Sequence, residues 1–191
     1  LAIGFGESSY DAEFDLSCVL LNSDEYRNQY IEWVKNGKSM LATPFAEGAG
    51  FLKTDPAMDR PDIQLHFVIS IVDDHARNLH LGYGYSCHVC PLRPYSTGEV
   101  FLQSADPMAP PGIDPKFLSD KRDLDTLIKG AKMTREIMEA QPLVNYKQKD
   151  LFGIRDNMTD SEWETHIRAR ADTIYHPVGT CKMGTDDMAV V

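Results

Sequence analysis

The sequence predicts an α+β fold, a mainly antiparallel sheet with flanking helices, formed as one unit over residues 1–191. Three observations carry this prediction. Segments of period two and of helical period do not alternate strictly along the chain, which disfavours a doubly wound parallel sheet. The best strand, Ile63 to Ile71, sets Ile63, Leu65, Phe67, Ile69 and Ile71 on one face and Gln64, His66, Val68 and Ser70 on the other. That second face is partly polar, as when one side of an antiparallel sheet meets solvent or a cavity.

The elements follow in order. Residues 1–22 show no clear period and read as a peripheral segment or the stump of a preceding element. From Ser23 a helix is expected, capped by Ser23 or Asp24, with Tyr26, Tyr30, Trp33 and Val34 as one stripe and Gly37 as its stop. The simplest use of that stripe is packing on the sheet; covering a membrane or a partner is the other. Thr43 to Lys53 reads as a loop leading to a short strand, and Asp55-Pro56 and Arg60-Pro61 mark turns. After Ile63–Ile71, Tyr83 to Leu92 is a second strand, and Pro94 to Gly98 turns into a third, Glu99 to Gln103, able to form a hairpin with it. The proline-rich stretch Asp106 to Asp120 reads as ordered loop. A long helix then carries Leu124, Leu127, Ile128, Ala131 and Met138 at helical spacing, closed by Gln141-Pro142. The last helix opens at the capping box Thr159-Asp160-Ser161-Glu162 and sets Trp163, Ile167 and Ala171 on one face.

Composition bounds the function. The 191 residues include 42% hydrophobic and 25% charged side chains, the balance of an ordinary globular protein with a substantial core. A net charge of −10 argues against nucleic acid and against an anionic membrane surface as partners. The longest apolar stretch, Phe67 to Val72, is far too short to cross a bilayer. The four cysteines, Cys18, Cys87, Cys90 and Cys181, are too sparse for a disulfide scaffold, so a cytoplasmic setting is the default. The first residues carry neither an initiating Met nor signal-peptide features, so the chain is expected to begin partway through a longer protein.

The segment Thr173 to Gly184 is the most informative. Pro177 pushes His176 out of helical dihedrals, placing it on a constrained connection past the last helix. A histidine held this way can act as a general base, because imidazole titrates near about 6.5. From local physics alone, a histidine hydrogen-bonded into a loop is the favoured reading.

Tyr175 to Gly184 resembles the C-terminal signature of the glucose–methanol–choline (GMC) oxidoreductases, FAD-dependent alcohol dehydrogenases and oxidases. Upstream, Arg93-Pro94, Ser96, Gly98-Glu99-Val100, Leu102, Ser104, Asp106-Pro107, Pro110-Pro111, Ile113-Asp114-Pro115 and Phe117-Leu118-Ser119 resemble the same family's strand, proline loop and helix entry. Asp62 to Phe67 and Ala46 to Leu52 resemble its choline-dehydrogenase-like branch. The resemblance implies that a substrate alcohol gives its hydroxyl proton to the matching histidine, His176, while its α-carbon passes hydride to the flavin. It implies a small alcohol as substrate and FAD as cofactor, with Gly179 and Thr180 near the flavin. Glu47, Gln64, His66 and Ser70 are the expected substrate contacts: Glu47 for a cationic substrate, the others as the polar face of a sheet roofing the cavity; a solvated loop carboxylate at Glu47 and a histidine hydrogen-bonded within the sheet at His66 are the alternatives.

Two departures matter. GxGxxG is absent, since Gly4-Phe5-Gly6, Gly48-Ala49-Gly50 and Gly82-Tyr83-Gly84 all lack the third glycine, so no Rossmann flavin domain is expected. Family members also use a second His or Asn beyond the matching histidine, and the sequence ends at Val191 before such a position. The chain therefore reads as a substrate-binding domain whose partner is a missing flavin domain, inert alone and not expected to retain FAD. A smaller departure is Thr97, where the family often has a basic residue. The surface beside His176 should then be open and partly apolar. Attachment of the whole enzyme to the inner membrane stays open, as does an oxidase that passes electrons to oxygen. A stand-alone small-ligand module is the alternative without flavin. A zinc site built on Cys87-His88-Val89-Cys90 with His176 and Cys181 is disfavoured, because an odd separation aims two strand cysteines at opposite faces. His88 then reads as an exposed or edge histidine, and no metal is expected.

Overall fold

The computed structural model describes residues 3–9, 23–74, 77, 78, 80 and 83–191. Its main sheet has five strands, all pairs antiparallel: β1 (Ile3–Ser9), β2 (Ala46–Leu52), β3 (Ile63–Val68), β4 (Gly84–Pro91) and β7 (Lys147–Asp150), in the order β2-β3-β4-β1-β7. Among the described residues three helices accompany it: α1 (Ser23–Asn36), α2 (Lys121–Met138) and α3 (Asp160–Arg170). A separate ribbon pairs β5 (Glu99–Phe101) with β6 (Gly112–Asp114). The α+β class with an antiparallel sheet is therefore the observed one, and the described residues contain no parallel doubly wound sheet. None of the described helices is long and apolar enough to cross a membrane.

The core follows from the period-two pattern. Ile63 and Leu65 of β3 and Tyr85, Cys87 and Val89 of β4 face Leu124, Leu127, Ile128, Ala131 and Met138 of α2, with Trp163 and Ile167 of α3 beside them. The stripes read from the sequence for α2 and α3 are thus the ones packed into the core. Asp120 caps α2 by accepting from the Arg122 amide at 2.9 Å. At α3 the capping box forms in both directions, Glu162 N to Thr159 Oγ1 at 3.3 Å and Thr159 N to Glu162 Oε2 at 2.7 Å. The turn after β4 is fixed by buried Asp123, which accepts the amides of Tyr95 at 2.7 Å and Ser96 at 2.8 Å. Thr97, the departure noted above, only donates its hydroxyl to the Tyr95 carbonyl at 3.4 Å.

Four expectations are corrected. The strand expected over Ile63–Ile71 ends at Val68, and Val68 and Ser70, expected on its partly polar face, are buried while Phe67 and Ile69 are only half-buried. Ile3–Ser9 is not peripheral but lies inside the sheet between β4 and β7. Pairing along both edges supplies backbone hydrogen bonds whatever the side-chain pattern, so a glycine-containing strand forms without a period of its own. Residues 10–22, Cys18 included, lie outside the described residues. The strand Glu99–Phe101 pairs with β6, inside the stretch read as loop, and not with β4. Its glycines explain the pairing: a Cβ on Gly112 would stand 2.5 Å from the Phe101 ring, and one on Gly98 would collide with the Asp114 carbonyl. Finally, α1 does not bury its stripe on the sheet. Tyr26, Tyr30, Trp33 and Val34 are 42%, 47%, 46% and 62% exposed, the aromatic rings contacting one another instead. Gly37 does end α1, at φ +66°.

Helix α2 approaches the sheet most closely at Gly130, where an added Cβ would lie 3.0 Å from Val89 Cγ2 and 3.3 Å from Ile63 Cδ1. Gly130→Val should therefore force helix and sheet apart and cost about 1–3 kcal/mol. Urea unfolding would show this as a lower midpoint with an unchanged slope. Unchanged or raised stability would contradict this packing.

Candidate active site

The opposite face of the sheet forms one wall of a cavity of about 680 Å³. Register decides what stands there. His66 of β3 pairs with His88 of β4, and their outer neighbours in the same row are Ala49 of β2 and Gly4 of β1. Two imidazoles therefore sit side by side, flanked by the smallest residues, and both line the cavity. The mouth is formed by the chain after α3. There the Asp172 carboxylate accepts the Thr173 amide at 2.6 Å, and the Thr173 hydroxyl accepts the Tyr175 amide at 3.0 Å. These turns carry Tyr175 into the left-handed region at φ +63° and bring exposed His176 to the cavity.

Burial pushes the His66 imidazole below its ordinary value, and nearby His176 adds to the push. His88 is pushed down to about 4, by burial first and by His66 second. The cavity's far side is ionic. Asp73 accepts from Arg170 and is 2.7 Å from His80 Nε2, while the Arg170 guanidinium lies 4.2 Å over the Phe152 ring. Burial works to raise the Asp73 carboxyl, but the hydrogen bonds and charges of His80 and Arg170 outweigh it, and the net direction is down. This cluster ties the loop after β3 to the end of α3.

The expected site residues divide. His66 and His176 meet at the cavity. Gln64 is on the same sheet face, opposite Cys90, but outside the cavity lining. Ser70 is buried past the end of β3, its carbonyl accepting the Ser86 hydroxyl at 2.7 Å. Glu47 lies exposed at the irregularity in β2, accepting from the Thr43 hydroxyl. Gly179, at φ +102°, and Thr180 continue the exposed segment past His176. The surface there is open and partly apolar, with Tyr175 66% and Val178 92% exposed.

Sequence reasoning missed His88, which is no exposed or edge residue but lies at mid-strand on β4, between β3 and β1. Aligning the apolar positions of the two strands, Leu65 with Val89 and Phe67 with Cys87, would have put His66 beside it. Cys87 joins the core face while Cys90 stays on the cavity face, 4.0 Å from His66 Nε2, its thiol pushed up by burial. Among the described residues no group of three or more His, Cys, Asp and Glu side chains is arranged to hold a metal ion.

His88 is uncharged when folded, whereas unfolded it takes a proton near its ordinary value of 6.5. Its contribution is fully present above about pH 6.5 and is lost as pH falls towards about 4, a loss on the order of 3 kcal/mol. His66 and His166 lean the same way, and the lowered carboxylates Asp73 and Asp150 remove further stability in acid. Urea unfolding is expected to show this loss between about pH 7 and pH 4.5. His88→Gln should flatten the slope in that window. A flat wild-type profile would contradict the buried imidazoles.

Residues 94–191 match the family described as GMC oxidoreductase. The chain is 44% identical over 154 residues to an alcohol dehydrogenase (acceptor) of Pseudomonas putida, covering 81% of this chain and 28% of that protein. It is 38% identical over 163 residues to the mitochondrial choline dehydrogenase of Homo sapiens, covering 84% and 27%. Formate oxidase of Aspergillus oryzae has the same fold, with a TM-score of 0.82 at 20% identity over 95% of this chain and 36% of that one. Pyridoxine 4-oxidase from Mesorbium loti superimposes with a TM-score of 0.67 at 26% identity, over 77% and 29%. The chain spans less than a third of the length of the curated relatives it matches. With more than half of its residues inside the family match, the chain belongs to the GMC oxidoreductase family.

Proposed function

We propose that residues 1–191 form one substrate-binding unit of an FAD-dependent alcohol dehydrogenase, which oxidises a primary, choline-like alcohol to an aldehyde with His176 as base. The observation that supports this reading is the meeting of His66 and His176 at one cavity, His66 half-buried and His176 at the open mouth. The named activities of the Pseudomonas putida and human relatives, both alcohol-oxidising dehydrogenases, point the same way.

The residues present fit a flavin's ring face but not its phosphates. Tyr175 and Val178 offer exposed apolar surface beside His176, and a Cβ added at Gly179 would meet nothing within 4 Å, so a flat group has room there. Val178, Gly179 and Thr180 would lie against the ring. No GxGxxG turn is available to cradle the phosphates, so a second, flavin-binding unit is part of the proposal. When bound, the flavin supplies the acceptor for the substrate's hydride. This chain's residues do the rest. His176 accepts the hydroxyl proton at a ring nitrogen, which raises electron density on the alcohol oxygen. His66, kept uncharged by burial, orients that oxygen, and Val68, Val72 and Phe152 exclude water from it. Glu47, Gln64 and Ser70, outside the lining, have no direct contact in this reading.

The structural neighbours named above are oxidases, which supports a second reading in which oxygen takes the electrons. In a flavoprotein carrying this chain as its C-terminal part, His176→Ala should lower kcat/KM for a primary alcohol by about 10²–10⁴ while the flavin spectrum persists. Dye reduction without oxygen consumption identifies the dehydrogenase; matching oxygen uptake identifies the oxidase. Full activity in the His176 variant would refute the assignment of the base.

A further inference from the structure

The cavity wall carries an imidazole that the reading above leaves without a task. His88 Nε2 is shielded from bulk water and has no hydrogen-bond partner among the described residues. Its neighbours explain why. Ser86, two residues away on the same face, is committed to the Ser70 carbonyl at 2.7 Å and the Val72 amide at 3.0 Å. Cys90, on the other side, has its sulfur 4.0 Å from His66. Across the strands, Gly4 has no side chain, and the only hydrogen-bonding side chain in the row is His66. The other orphaned imidazole nitrogen, His166 Nε2, lies on α3 and does not line the cavity, so packing alone accounts for it. An unmet buried polar atom destabilises the fold, so one held in a cavity wall favours any ligand that satisfies it.

The chemistry selects the ligand group. An uncharged imidazole presents Nε2 as donor in one tautomer and acceptor in the other. A hydroxyl serves both, a carboxylate only the donor form, and a quaternary ammonium neither. We infer that His88 contacts the ligand directly, its Nε2 hydrogen-bonding the hydroxyl of a small alcohol seated beside His66. This inference rests on the alcohol-binding reading of the cavity. It makes the hydroxyl, held between imidazoles, the group by which the cavity recognises its ligand; a cationic head is not required.

The test uses the purified chain at about pH 8, where these rings are uncharged. Its histidine side-chain ¹⁵N resonances are followed while 3,3-dimethylbutan-1-ol, an uncharged primary alcohol, is added. The His88 signal is identified by its loss in His88→Gln. The expected result is a saturable shift of the His88 Nε2 resonance, about tenfold or weaker alcohol binding in His88→Leu, and recovery to within about threefold in His88→Gln. The wild-type shift decides the matter even if the leucine variant does not fold. Shifts at His66 and His176 with His88 unmoved, and wild-type affinity in His88→Leu, would overturn the inference and leave the cavity reading standing. No response at any of the three histidines would overturn both.

Discussion

The antiparallel register of β3 against β4 is the constraint on which the rest of the structure depends. It sets Ile63, Leu65, Tyr85, Cys87 and Val89 against α2 and α3, and in the same stroke sets His66 and His88 against the cavity. A slip of one residue would send the imidazoles into the core and the aliphatic side chains into the cavity. Core and site are therefore two faces of one pairing. The register is anchored where α2 sits close on Ile63 and Val89 at Gly130, and where Asp123 fixes the turn that leaves β4.

Electrostatics then divides the cavity. Burial disfavours charge on the imidazoles of its sheet wall, while its opposite rim holds the Asp73–Arg170 ion pair, with His80 hydrogen-bonded to Asp73 behind it. A similar ionic clasp lies outside the site, where Arg135 of α2 gathers Glu139, Asp150 and Asp156 and Lys147 joins Glu139 and Asp150. That clasp pins the edge strand β7 to the helix layer, and through β7 supports β1. The site thus rests on a rigid wall, while its exposed mouth, from Tyr175 onward, is held mainly by short local turns.

Legibility in the sequence followed periodicity and capping. The alternation at Ile63 and Leu65 and the helical stripes of α2 and α3 each reported a buried face directly, although the strand stops at Val68 and the alternation fails there, and Thr159 with Glu162 marked a helix start to the residue. What escaped were elements whose reason is tertiary. β1 contains two glycines and exists because β4 and β7 pair with its backbone. β5 found β6 across a proline loop because of two glycines whose close contacts no local pattern displays. The stripe of α1 was visible, but its burial was inferred from pattern alone, and the described structure leaves it open. His176 was legible through a motif, whereas His88 needed two strands aligned on each other before its place beside His66 could be seen.

We propose a division of labour in which this chain would supply the alcohol cavity and the base while residues elsewhere would hold the flavin. Its most direct test is a fluorescence titration of the purified chain with free FAD, read as quenching and as a shift in melting temperature. On this proposal neither saturable quenching nor stabilisation is expected, because the sequence has no GxGxxG motif to cradle the phosphates. Tight, saturable quenching with a raised melting temperature would contradict it and place the flavin-holding contacts in these 191 residues.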